Sequence, residues 1–219
     1  VANSISPLIE HNRCYDAGAL GNLTDTRLIA GIWVCAVSDA LIQFNEVART
    51  RLFENDGTAF DTDWGCAGTN IFQYNYTHDN EGGFWLDCAG INHNENYEGT
   101  ILRHNISVND RRCIVQRDDG FHAKFDQNVF FQYEGTLDIC SQAAGHSHHF
   151  KHNMFYFHDT PPDGWKSFVY EGNCYYPCAA NPDDPLASTK EPPVTETLPS
   201  KAALDGLDKY EIFHRLCTQ

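Results

Sequence analysis

Residues 71–83 read Ile71-Phe72-Gln73-Tyr74-Asn75-Tyr76-Thr77-His78-Asp79-Asn80-Glu81-Gly82-Gly83. The first five residues recur as Leu8-Ile9-Glu10-His11-Asn12, Leu41-Ile42-Gln43-Phe44-Asn45, Ile101-Leu102-Arg103-His104-Asn105, Lys124-Phe125-Asp126-Gln127-Asn128 and His149-Phe150-Lys151-His152-Asn153. The template is apolar residues, a polar or charged residue, His, an aromatic or Gln, then Asn. Successive Asn residues are 33, 30, 30, 23 and 25 positions apart. The second half, with a His, two acids and a Gly pair, does not recur, so a repeated scaffold carries one polar insert.

A period of this length with short β-type runs between the Asn positions means a solenoid. The runs include Ile29-Ala30-Gly31-Ile32-Trp33-Val34-Cys35, Thr58-Ala59-Phe60-Asp61-Thr62, Gly83-Phe84-Trp85-Leu86 and Arg112-Cys113-Ile114-Val115-Gln116. They are too short, and too β-branched or aromatic, for the amphipathic helices of tetratricopeptide or ankyrin arrays. No leucine ladder is present. A recurring Asn between strands suits a right-handed parallel β-helix. In that fold a stacked Asn tolerates a left-handed turn and hydrogen-bonds its equivalents in coils about 4.8 Å away. The expected architecture is all-β: coils over residues 1–178, then an irregular capping tail over 179–219. Residues 179–200 are rich in Pro, Asp, Ser and Thr and are not expected to pack a core; Ala202 to Leu216 regains modest helical periodicity. Asn12 is already a repeat Asn, so further coils are expected upstream or on a second chain.

The chain has 219 residues, 30 acids against 15 bases and a formal charge of −15. That balance argues against nucleic acid or an anionic membrane as the main partner. No run approaches the roughly 18 apolar residues of a membrane span. Nine cysteines, without a CxxC pair, point to an oxidising compartment rather than a zinc site. Cys35, Cys66, Cys88, Cys113 and Cys140 each precede an Asn strand, and stacked thiols or one or two disulfides are expected there. Sequons occur at Asn22, Asn75 and Asn105. Asn75 and Asn105 belong to the repeat, which leaves Asn22 as the glycosylation candidate and secretion as the expected location.

The segments Ala59-Phe60-Asp61-Thr62-Asp63-Trp64-Gly65-Cys66 and Gln73 to Phe84 resemble secreted right-handed parallel β-helix proteins of the pectate-lyase-like superfamily. Asp205-Gly206-Leu207-Asp208-Lys209-Tyr210 resembles the segment that closes such domains. The resemblance covers most of the chain and implies the fold. It implies no single chemistry, because the superfamily includes lyases, glycosidases, epimerases, adhesins and non-catalytic surface proteins. Neither the lyase calcium-and-Arg constellation nor the polygalacturonase Asp pair maps residue by residue onto this chain.

The densest polar cluster is Asp61, Asp63, His78, Asp79, Glu81 and Asp87, the candidate catalytic set. Asp61 and Asp63 are two apart on a strand and share a face. Paired carboxylates are what glycoside hydrolysis requires, one protonating the leaving oxygen while the other attacks or activates water. The competing reading is that Asp and Asn at solenoid turns satisfy backbone N–H groups. Arg103, Asp118, Asp119 and His122 are candidate substrate-binding residues. The loop His146-Ser147-His148-His149 adds a metal or acid–base candidate, and calcium is the cofactor that abundant oxygen ligands would favour, if any. Arg49, Arg51, Arg111, Arg112, Arg117 and Lys124 could serve a lyase by neutralising a uronate, although the acidic balance ranks lyase below hydrolase. Trp33, Trp64, Trp85 and Trp165 could stack on sugars, but most are expected in the core. The sequence therefore predicts a glycosidase acting on an extended polysaccharide, with a structural or adhesive glycoprotein as the competing class.

Overall fold

The computed structural model describes residues 1–19, 29–51, 57–86, 97–116, 123–132, 138–141, 148–157 and 168–191. Every regular element among them is a β-strand. The first coil is β1 (Ala2–Ile5), β2 (Leu8–Glu10) and β3 (Arg13–Tyr15), and the second is β4 (Ala30–Ser38), β5 (Leu41–Gln43) and β6 (Glu46–Ala48). The third is β7 (Thr58–Thr62), β8 (Gly68–Gln73) and β9 (Tyr76–His78), and the fourth is β10 (Gly82–Leu86), β11 (Tyr97–Arg103) and β12 (Ile106–Val108). The fifth is β13 (Arg112–Gln116), β14 (Ala123–Asp126) and β15 (Val129–Phe131). The sixth is β16 (Asp138–Ser141), β17 (His149–Lys151) and β18 (Met154–Phe157), followed by β19 (Val169–Glu171) and β20 (Cys174–Pro177).

Each strand pairs in parallel with its equivalents one coil before and after. The result is three sheets: a first of six strands, β1-β4-β7-β10-β13-β16, and a second and third of seven, β2 to β19 and β3 to β20. This is the expected parallel β-helix. No helix in the described residues is long and apolar enough to cross a membrane.

The Asn residues form a ladder at the corner between the second and third sheets. Asn75 Oδ1 accepts from both the main-chain N and the Nδ2 of Asn45, each at 3.0 Å, while Asn75 Nδ2 donates to Asn105 Oδ1 and to Ile42 O. Each interior Asn repeats this pattern, so its one carbonyl and both amide hydrogens are engaged. The ladder continues past the expected Asn153 to Asn173 and ends on Asp184. A carboxylate, which only accepts, fits the final rung because no further acceptor follows it. Asp184 takes five donors: Gly172 N, Leu186 N, Asn173 N, Asn173 Nδ2 and the Tyr175 hydroxyl. Burial alone would raise its pKa, but these hydrogen bonds win and hold it below the usual carboxylate value. Part of the 179–200 segment thus packs after all, through polar capping rather than apolar burial.

One detail of the corner corrects the expectation. The left-handed conformation falls on the residue before each Asn: His11, Phe44, Tyr74, His104, Gln127 and His152 have φ between 53° and 58°. Their rings lie outside the barrel and offset the backbone cost by stacking, His11–Phe44–Tyr74–His104, with centroids 5.3, 5.2 and 5.1 Å apart. In the last repeat the position is Gly172, φ +66°, where a Cβ would meet the His152 ring at 3.0 Å.

Inside, the alternate residues of each strand stack as columns. The second sheet contributes Ile42, Phe72, Leu102, Phe125, Phe150 and Tyr170, all at most 3% exposed. Phe125 and Phe150 lie face to face at 4.3 Å. The third sheet contributes Val47, Thr77, Ser107, Phe130, Phe155 and Tyr175. Two of its members, Thr77 and Ser107, hydrogen-bond the buried Asp110.

The cysteines do not stack as expected. Cys35 is level with Ala2, one residue past the Val34–Thr62 register, and Cys66 lies in the turn between β7 and β8. Cys113 precedes Ile114 in β13, and Cys140 is level with Val115. The turns between the first and second sheets differ in length, so a similar count to the next Asn does not give the same height. Cys14, Cys35, Cys66, Cys113, Cys174 and Cys178 are free thiols; Cys88 and Cys217 lie outside the described residues. Asn75 and Asn105 are each 1% exposed, as their ladder role requires, while Asn22 lies outside the described residues.

Candidate active site

The outer face of the first sheet carries Asp61 on β7 and, just past the strand end, Asp63, alternating with the inward Phe60 and the fully buried Thr62. Asp61 is in register with Trp33 on β4 and with Trp85 on β10. A shallow cleft here is lined by Ala30, Trp33, Asp61 and Asp63. Trp33 is 43% exposed and Trp64, in the turn after Asp63, is 48% exposed. Both were expected in the core. A Trp on an outward-facing position has no core to enter, whatever its distance from a Cys. Trp64 is held over the edge by its N–H donating to Asp63 Oδ1 at 2.7 Å and by its carbonyl accepting from Ala36 N. The Cys35 thiol is pushed up by burial and then by the charges of Asp63 and Asp61.

His78, Asp79 and Glu81 lie elsewhere. His78 ends β9 in the third sheet, with Nδ1 at 3.0 Å from Asp79 Oδ2 and Nε2 at 3.5 Å from Glu46 Oε1. Glu46 Oε2 is 3.2 Å from Arg13 Nε, and the Tyr15 hydroxyl donates to Glu46. Burial alone would lower the His78 pKa. The hydrogen bonds to Asp79 and Glu46 and the field of Asp110 override it and raise it to about 9. Hydrogen-bonding to His78 in turn lowers Glu46. With both ring nitrogens against carboxylates, the imidazolium has no lone pair to offer as a base.

Behind it, Asp110 is fully enclosed. Its Oδ2 accepts from the Thr77 and Ser107 hydroxyls at 2.6 Å each, and its Oδ1 accepts from Asn80 N and Nδ2. Desolvation raises its pKa to about 6 against those hydrogen bonds. Asn80 Oδ1 accepts from Thr50 N, so Thr50, Asn80 and Asp110 form a second, shorter ladder at the next corner. Glu81 meets Arg111 at 3.1 Å in an exposed pair.

The structure therefore brings Asp61 and Asp63 together and separates them from His78, Asp79 and Glu81, which lie on the third sheet or the corner beyond it. Asp87, Asp118, Asp119 and His122 lie outside the described residues, as do His146 and Ser147. Arg103 belongs to a polar row along the second sheet, where its Nε donates to Gln73 Oε1 and Gln73 donates to Gln43. His148 is 3% exposed, with Nδ1 accepting from Ala123 N, so it is part of the corner packing. Among the described residues no three His, Cys, Asp or Glu side chains are grouped as a metal site would require. Glu46, Tyr15 and Asp110 escaped sequence reading because their partners lie about 30 residues away, one coil along the stack. The repeat could have exposed them through the alignment of Glu46 with Tyr76 and of Asn80 with Asp110.

No family model matches the chain. It is similar to lacto-N-biosidase of Bifidobacterium longum subsp. longum, by its name a glycosidase, with 27% identity over 158 residues. The matched region is 71% of this chain and 9% of that protein, so the chain spans less than a tenth of that relative's length.

Proposed function

We propose that this chain is a secreted carbohydrate-active β-helix that hydrolyses glycosidic bonds in an extended glycan. The observation that carries the reading is the cleft in which the carboxylate of Asp61, on β7, and that of Asp63, just past its end, stand beside an exposed indole. Two residues along a strand span roughly 6.6 Å. That is compatible with the roughly 5–9.5 Å between carboxyl groups used in glycoside hydrolysis. One of Asp61 and Asp63 would protonate the glycosidic oxygen. The other would attack the anomeric carbon or take a proton from the water that does. Trp33 would hold the apolar face of a sugar ring, and Trp64 would flank it. Similarity to a glycosidase supports the same class.

A lyase is the weaker reading. Among the described residues lining the cleft there is no Arg, Lys or His side chain to neutralise a uronate carboxylate. A purely structural role makes no use of the outward Trp33, and release of new reducing ends separates hydrolysis from adhesion. The discriminating experiment incubates the chain with lacto-N-biosides and a panel of polysaccharides, with and without calcium, and follows reducing ends and ultraviolet-absorbing unsaturated products. New reducing ends without unsaturation are expected. Unsaturated products would establish a lyase, and no product from any glycan would favour the structural role.

A further inference from the structure

Along the second sheet the outward column changes character part-way up the stack. Its first four members are Leu8, Leu41, Ile71 and Ile101, and the next three are Lys124, His149 and Val169. The neighbouring outward column there consists of Asp126, Lys151 and Glu171. A pocket opens where the change occurs, with these six residues around it. Its volume is about 120 Å³, room for one end of a sugar ring with the remainder lying in the open mouth.

The charges in this pocket are unevenly matched. Lys151 Nζ is 2.9 Å from Glu171 Oε1, and Asp126 has His152 at 3.9 Å. Lys124 and His149, side by side on paired strands, have no hydrogen-bond or ion-pair partner among the described residues. Val169, 46% exposed, continues the same column as an apolar wall.

We infer that this face, formed by β14, β17 and β19, binds a carboxylate-bearing sugar residue. The sugar carboxylate accepts from Lys124 Nζ and a His149 ring N–H, a charge-assisted contact. Ring hydroxyls donate to the Asp126 and Glu171 carboxylates, and the C–H face of the ring lies on Val169. The site is on a different sheet from the Asp61–Asp63 cleft, so it stands whether or not that cleft is catalytic.

The test titrates D-glucuronate and, separately, D-glucose into the full chain and follows amide shifts. Glucuronate should perturb β14, β17 and β19, and glucose should not. Lys124→Gln should weaken glucuronate binding roughly tenfold or more. Arg111→Ala, which removes an exposed charge at another corner, should leave it unchanged, and added salt should weaken it. Equal responses to both sugars, undiminished binding by the Lys124→Gln chain, or no response to glucuronate would each overturn the assignment. Lys124 is exposed, so the variant is expected to fold, and its unperturbed amide spectrum verifies that.

Discussion

The ladder corner and the outer face of the first sheet use polar side chains in opposite ways. At the corner every interior Asn is buried and engages its whole amide with the coils on either side. On the first sheet Asp61 and Asp63 face a cleft beside an exposed Trp33. The corner is saturated and therefore structural, whereas the carboxylates of the cleft are part-buried, with Asp63 Oδ1 engaged by Trp64 N. The same criterion separates His78 from Asp61. His78 was close to Asp61 in the sequence, yet it lies on another sheet with both nitrogens engaged.

Breaking a rung should have the largest effect on stability. Asn75→Ala leaves Asn45 N and Nδ2 without their acceptor, removes the side-chain donor to Ile42 O, and takes one of two donors from Asn105 Oδ1, which keeps the main-chain N of residue 75. We expect a loss of about 3–5 kcal/mol, read from the midpoint of urea unfolding. Replacing Asn75 at no cost in stability would mean that the ladder is incidental.

The saturated third-sheet network predicts a pH signature. The folded pKa of His78 is raised from 6.5 to about 9. Its stabilisation is therefore fully present below pH 6.5 and lost as pH rises through about 9. Asp110, raised from 3.8 to about 6, acts in a lower window, where stability falls as it ionises. Between pH 6.5 and 9 the wild-type melting temperature should drop while His78→Gln stays nearly flat. The difference corresponds to at most about 3 kcal/mol. Parallel profiles for the two proteins would remove the imidazolium from the account.

The smallest effect is expected at the surface. Arg111→Ala breaks the pair with Glu81, in which the Arg side chain is 73% exposed. The change in unfolding free energy should stay below about 1 kcal/mol. A larger loss would show that Glu81 is coupled to the second ladder through its neighbour Asn80.

The repeat was legible in the sequence because each coil must bury the same positions and close the same corner. Asn12, Asn45, Asn75, Asn105, Asn128 and Asn153 announced themselves by spacing. Asn173 did not, because the interval shortens to 20 residues and Gly172 replaces the ring before it. Asp184 was hidden further, since the final rung requires an acceptor and so departs from the repeat residue. The pairing of Asp61 with Asp63 was readable from strand alternation. The exposure of Trp33, the heights of the cysteines and the partners of His78 were not. Each depends on which residues of neighbouring coils stand level, and turn length sets that register rather than local pattern. The change from Ile101 to Lys124 was visible in the sequence, but only the stacked columns show that it faces outward.

The most direct measurement compares glycan cleavage with stability in the same variants. Asp61→Asn and Asp63→Asn should each lower the rate of reducing-end release by roughly 10²–10⁴-fold while leaving the urea midpoint close to wild type. Full activity in both variants, or loss of activity only in step with unfolding, would contradict the assignment of this cleft as the site of chemistry.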